Sequence, residues 1–159
     1  MRTGVRVGID VGTVRIGVAR SDFHGMLATP VETVTRVKVA SAAPDDLARI
    51  AAIVADLDAV EVIVGLPLAL SGRHTASTGD AVAFAEALAS ALPVPVRLVD
   101  ERLSTVSAQA ALRTAGRSTR TQRPVVDQVA ATIILQHALD TERASGKPAG
   151  TSVDPTGRP

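Results

Sequence analysis

The chain has 159 residues, 46% of them hydrophobic and 21% charged, and its 17 basic side chains nearly balance 16 acidic ones. That length fits one domain and excludes both a pair of domains closing over a nucleotide and a multi-module assembly. With no cysteine, disulfides, thiolate metal sites and cysteine nucleophiles are ruled out; with Phe23 and Phe84 the only aromatic residues, so are base-stacking platforms.

Val5, Val7 and Ile9 alternate with Arg6, Gly8 and Asp10, the period-2 pattern of a strand. Gly12 supplies a turn, and Ile16 to Ala19 reads as a second strand returning beside the first. A third spans the Val- and Thr-rich stretch from Thr29 to Val39. Asp45 caps a helix in which Leu47, Ile50, Ala51 and Val54 fall at helical spacing. Val60 to Leu66 is a continuous apolar run ending at Pro67, as in a strand covered on both faces. A loop from Ala69 to Thr78 leads to an Ala-rich helix over Gly79–Leu92, and Val94 to Val99 forms the next strand, closing on Asp100 and Glu101. Ser104 or Thr105 caps a helix running to Ala115 before Gly116, and a basic loop follows from Arg117 to Arg123. Pro124 heads the last helix, where its missing N–H goes unneeded, and that helix runs to Arg143. From Ala144 to Pro159 the chain is Gly, Pro, Ser and Thr with little to bury, so one domain over 1–143 and a disordered tail over 144–159 are expected. The order of elements predicts an α/β fold with a mixed sheet and helices on its faces. No segment approaches the ~18 apolar residues of a membrane span and the N-terminus lacks a signal-peptide core, so a soluble, cytoplasmic chain is expected.

Charge is unevenly spread. Asp45, Asp46, Asp56, Asp58 and Glu61 face only Arg49, whereas six arginines from Arg97 to Arg123 face only Asp100 and Glu101. Such blocks can be nothing more than solvated faces. The acids at element ends carry more information. Asp10 ends the first strand before a Gly turn, Asp100 and Glu101 end a later strand, and Asp127 lies near the start of the last helix. Ala130, Ala131, Ile134 and Ala138 follow Asp127 at helical spacing, which puts its carboxylate on the stripe facing the sheet. A carboxylate there is costly unless it is paired or binds a cation. Singly, each acid is explained by turn chemistry or the helix dipole. Together at one end of a small sheet they form a like-charged cluster that hard divalent cations, Mg²⁺ or Mn²⁺, would stabilise. Two such ions suit in-line phosphoryl displacement, which needs neither His nor Cys as nucleophile. The histidines, His24, His74 and His137, show no paired ligand spacing and read as structural or surface residues. Arg15, beside the first acid, and Arg102, Arg113, Arg117, Arg120 and Arg123 are the candidate contacts to a polyanionic backbone.

Four segments in order then resemble the YqgF/RuvX family of the ribonuclease H-like superfamily. They are Gly8 to Ala19, Val64 to Leu68 with Gly72, Asp100 to Thr105, and Asp127 to Gln136, within a similarity covering residues 4 to 141. The resemblance implies a ribonuclease H-like, mixed five-stranded sheet flanked by helices. It also implies Asp10, Glu101 and Asp127 as a magnesium-binding catalytic triad; the choice of Glu101 over Asp100 comes from the family pattern. The activity it implies is endonucleolytic: maturation of the 5′ end of pre-16S ribosomal RNA, with Holliday-junction resolution as the alternative. Nucleic acid is then the partner, RNA ahead of a DNA junction, with the ribosome or a pre-30S particle nearby, no membrane, and a monomer or homodimer as the working form. Two departures stand out. Ala69-Leu70-Ser71 replaces a loop where the family usually has Asn and an acidic residue, and Arg117, Arg120 and Arg123 stand where lysines are usual. Two other classes compete. Asp10 to Thr13 is close to the phosphate turn of actin-like ATPases and sugar kinases, which the length disfavours, and a weakly active nucleic-acid-binding factor would keep the fold without turnover.

Overall fold

The structure is a computed structural model that describes residues 1–37, 45–101 and 119–154. Its strands are β1 (Arg6–Val11), β2 (Arg15–Ser21), β3 (Ala28–Thr35), β4 (Glu61–Leu66), β5 (Val96–Asp100) and β6 (Thr151–Ser152). Its helices are α1 (Asp45–Asp56), α2 (Ala76–Ala91) and α3 (Thr119–Ser145). The strands form one sheet in the order β3-β2-β1-β4-β5-β6. β1, β2 and β3 run antiparallel to their neighbours, β1, β4 and β5 run parallel, and β6 closes antiparallel on β5.

Strand alternation divides the core in two. Val7, Ile9, Ile16, Val18, Val62 and Val64 point to one face, where they pack with Ile50, Ile53 and Val54 of α1 and Phe84, Ala85 and Leu88 of α2. Ala19, Ile63 and Val99 point to the other and meet Ala131, Ile134, Leu135 and Ala138 of α3. The apolar run of β4 is therefore read correctly from sequence, since its Val residues feed one core and Ile63 the other. The α3 stripe counted from Asp127 is also found buried.

Three glycines let α3 lie directly on the strands. A methyl at Gly8 would come within 2.7 Å of Leu135 Cβ, and at Gly17 it would collide with the Asp127 carbonyl oxygen. At Gly65 it would meet both Ile134 and the Glu101 carboxylate. Gln128 and Gln136 fasten the helix to β3: Gln128 Nε2 donates to Thr33 Oγ1 at 3.0 Å, and Gln136 Oε1 accepts from the Ala28 N–H at 2.8 Å. At the far end of the sheet, Arg6, Glu61 and Glu142 are buried together, with Arg6 Nη2 3.1 Å from Glu142 Oε2 and Arg2 bonding both Glu61 and Glu142.

The structure departs from the sequence reading at four places. The sheet has six strands rather than five, because residues after α3 turn back along β5 instead of remaining disordered. Ala149 is buried, Arg97 Nε and Nη2 donate to the Ala149 and Gly150 carbonyls at 2.7 Å, and the Val153 N–H donates to Val96 O at 2.9 Å. Backbone groups completing an open sheet edge need no apolar side chains, so composition could not reveal this segment. The last five residues lie outside the described ones. α3 starts at Thr119, five residues ahead of Pro124, so Arg120 and Arg123 belong to a helix rather than a loop and Asp127 sits in its third turn. α2 begins at Ala76 because Thr75 and Thr78 cap each other's backbone N–H reciprocally, a signal present in the sequence but masked by Gly79. Finally, β3 ends at Thr35 rather than Val39. The helix expected from Ser104 to Ala115 lies outside the described residues.

Truncating the chain after Ser145 should therefore lower stability by about 2 kcal/mol, the scale of two or three lost hydrogen bonds and one exposed edge. The midpoint of urea unfolding measures it, and a midpoint equal to that of the full chain would mean the β6 segment contributes nothing.

Candidate active site

Asp10 and Gly8 on β1, Gly65 on β4, Val99 on β5 and Glu101 immediately after that strand share the face covered by α3, by the two-residue period of a strand. β1, β4 and β5 are parallel, so Asp10 and Glu101 arrive at the same, carboxyl-terminal edge. Glu101 is 7% exposed and its backbone N–H donates to Leu66 O at 3.3 Å. Its Oε2, packed against Gly65, is buried without a hydrogen-bond partner.

The two carboxyls interact strongly. Burial raises Asp10 to about 6, helped by the nearby charge of Asp127, while a hydrogen bond with Glu101 acts in the opposite sense. Burial also raises Glu101 to about 8, followed by the charge of Asp10, the hydrogen bond with it and the charge of Asp100. In the absence of a counter-charge the pair thus holds a proton near neutrality, as like charges sharing a desolvated site must. Oxygen donors, an orphaned buried Oε2 and a surplus of negative charge form a donor set that suits a hard divalent cation.

Asp127 comes to the same edge from α3 but is held differently. Arg15 Nε donates to Asp127 Oδ2 at 2.9 Å, and the two side chains are 32% and 18% exposed. Of the three expected acids, then, two lie together and the third is ion-paired beside them. Among the described residues no group of three His, Asp or Glu side chains is arranged to hold a metal ion.

Asp10 and Glu101 also line a cleft of about 610 Å³ whose opposite wall sequence reasoning missed. That wall comprises Thr13, Arg36 and, at the start of α2, Ser77 and Asp80. Arg36 is fixed there by Asp80, by the Gly12 carbonyl at 3.2 Å and by stacking 5.4 Å from the Phe84 ring centroid. No sequence spacing signals the pairing of Arg36 with Asp80, 44 residues away. Of the expected phosphate contacts, Arg15 is at the site as described. Arg102, Arg113 and Arg117 lie outside the described residues, as do the side chains of Arg120 and Arg123. His24, His74 and His137 are all exposed, as expected.

A mixed sheet between helix layers, with carboxylates at the edge of its central parallel strands, is the ribonuclease H-like class of α/β fold. The same fold is seen in RuvC of T. thermophilus, solved in complex with a Holliday junction substrate, at a TM-score of 0.56 and 21% identity over 93% of this chain and 99% of that one. Sequence narrows the class further. The profile of the RuvX family, described as Holliday junction resolvase, matches residues 4–141, and the chain belongs to that family. Among its relatives are proteins named "Putative pre-16S rRNA nuclease" from two bacteria. The one from Leifsonia xyli is 68% identical over 98% of this chain and 97% of its own length. The one from Clavibacter michiganensis is 63% identical over 96% and 93%. Among the described residues no helix is long and apolar enough to cross a membrane.

Proposed function

We propose that the chain is a metal-dependent phosphodiesterase that cuts structured nucleic acid internally, with the 5′ leader of 16S ribosomal RNA precursors as its substrate. The observation that carries this reading is the pairing of half-buried Asp10 with buried Glu101, whose Oε2 is unpartnered at the strand edge. The names of the relatives direct it to pre-16S rRNA. The description of the family keeps a four-way DNA junction as the second substrate to test.

Asp10 and Glu101 would hold the cation, Mg²⁺ or Mn²⁺, with Asp127 as the third ligand. Divalent ions supply charge neutralisation for the attacking and leaving oxygens of an in-line phosphoryl displacement. The protein does the rest. Gly65 and Ile134 shield Glu101 from water, which strengthens every charge interaction inside the site. Arg15 meets the backbone phosphates beside the acids, and the arginines at 102, 113, 117, 120 and 123 extend that contact along the strand. Such contacts fix register without reading bases, so selectivity comes from the shape of the nucleic acid.

The deciding assay incubates the protein with Mg²⁺ or Mn²⁺ and, side by side, a precursor rRNA 5′ leader and a mobile four-way junction. Specific cleavage of the leader supports the main reading, cleavage of the junction alone transfers it to DNA, and no cleavage of either rejects it. Replacing Arg117, Arg120 and Arg123 together by Ala should flatten the log–log salt dependence of binding by up to about 3. An unchanged slope, measured by fluorescence anisotropy, would remove these arginines from the interface.

A further inference from the structure

We infer that Arg15 is a positioning residue that couples nucleic-acid binding to completion of the cation site, by exchanging Asp127 for a backbone phosphate. This rests on the assignment of Asp10 and Glu101 as cation ligands made above. Three observations lead to it. Asp127 is not among the residues lining the cleft that Asp10 and Glu101 share. Its carboxylate is instead bonded to the Arg15 guanidinium at 2.9 Å, and among the described residues that guanidinium has no other partner. The pair is also partly open to solvent, with side chains 32% and 18% exposed, and part-exposed ion pairs are weak enough to exchange.

The local geometry confines what can move. Gly17 brings the α3 backbone onto β2 at Asp127 itself, so the helix is fixed there and only side chains are free to rearrange. Without substrate, Arg15 neutralises Asp127 and leaves the Asp10–Glu101 pair short of a ligand. An arriving phosphate offers Arg15 a better partner, since guanidinium–phosphate pairs are charge-assisted and bidentate. Asp127, released from Arg15, would then be free to serve as a further ligand to a cation held by Asp10 and Glu101. The exchange balances: one carboxylate–arginine pair and one unpaired phosphate become a carboxylate on the cation and a phosphate on arginine. Cation affinity stays low until substrate is bound, and each ligand raises the affinity of the other equally.

The test reads binding rather than turnover. Mn²⁺ affinity is measured from the EPR signal of the free ion, with and without a saturating 12-nucleotide 2′-O-methyl RNA. In the unaltered protein the RNA should tighten Mn²⁺ by about 10-fold, within the usual range for coupled sites. In Arg15→Gln, Mn²⁺ without RNA should already bind about 3- to 10-fold tighter, and the RNA effect should shrink below about 2-fold. Arg15→Lys, which keeps the charge, should restore part of the coupling. Arg20→Gln controls for net charge, because Arg20 pairs with Val7 at the opposite end of β2, and it should behave as the unaltered protein. As a second probe, Asp127→Asn should bind the RNA about 3-fold tighter in EDTA, since it no longer competes for Arg15. Full coupling retained in Arg15→Gln, or no coupling in the unaltered protein, overturns the exchange. If Asp10→Asn leaves Mn²⁺ affinity unchanged, the cation assignment fails with it. If Asp10→Asn abolishes binding while coupling ignores Arg15, only the exchange fails.

Discussion

Asp10→Asn is expected to lower metal-dependent cleavage by about three orders of magnitude, or ~4 kcal/mol of transition-state stabilisation. The same change should leave the fold as stable or more so, because Asp10 is a half-buried carboxylate whose pKa is raised by desolvation and by the charge of Asp127. The sign follows from proton counting. Asp10 and Glu101 have ordinary values of 3.8 and 4.5 and folded values of about 6 and about 8. Between those limits the folded chain binds more protons than the unfolded chain, so metal-free stability falls as pH rises from about 4 to about 8. Asp10→Asn removes one of the two groups and also the charge that raises Glu101. The variant should therefore match the unaltered protein at pH 4 and exceed it by roughly 2 kcal/mol at pH 8 in EDTA. Thermal unfolding across that range measures the difference. A variant less stable at pH 8, or one that cleaves at full rate, would remove the carboxylate pair from the centre of the mechanism.

Gly17→Ala should be the most damaging of the small substitutions. The added methyl would overlap the Asp127 carbonyl oxygen and press on the Gln128 nitrogen, both backbone atoms of a helix that cannot yield locally. Overlap of this kind forces α3 off β2, with an expected loss of about 3–5 kcal/mol and of activity together, since Arg15, Asp127 and Asp10 separate as the helix lifts. Gly79→Ala is the matched control. A methyl at Gly79 meets nothing within 4 Å, so the helical preference of Ala should raise stability by about 0.5–1 kcal/mol. Denaturant midpoints for the two variants should move in opposite directions, and a neutral Gly17→Ala would show that α3 is less tightly seated than the glycines imply.

The readable and unreadable parts of this chain differ in the range over which their causes act. Alternation in β1, the double-sided apolar run of β4 and the Asp127 stripe are periodic patterns with local causes, and each lies where the spacing places it. The ends of elements proved less legible. The Thr75–Thr78 cap was visible in principle but overshadowed by Gly79, and the start of α3 was obscured by Pro124, which favours a first-turn position although the helix begins five residues before it. The β6 segment is held mainly by backbone groups and Arg97, and Ala149 and Val153, which reach the core beside it, are too few to form a readable apolar pattern. Within the site, the acids stood out because several gather at element ends on one side of a small sheet and Asp127 falls on a core-facing stripe. The pairing of Arg15 with Asp127, 112 residues apart, and of Arg36 with Asp80 depends on how helices settle on a twisted sheet, and no spacing encodes it.

The buried cluster of Arg6, Glu61 and Glu142 at the pole opposite the acids bears on how salt titrations can be interpreted. Counterions screen charges that face bulk water and have little effect on those sealed in an interior. Raising ionic strength should consequently release a polyanion held at the edge that carries Arg15 while the globule stays intact. Dissociation curves against potassium chloride can then be taken as counts of displaced ions, uncontaminated by partial melting.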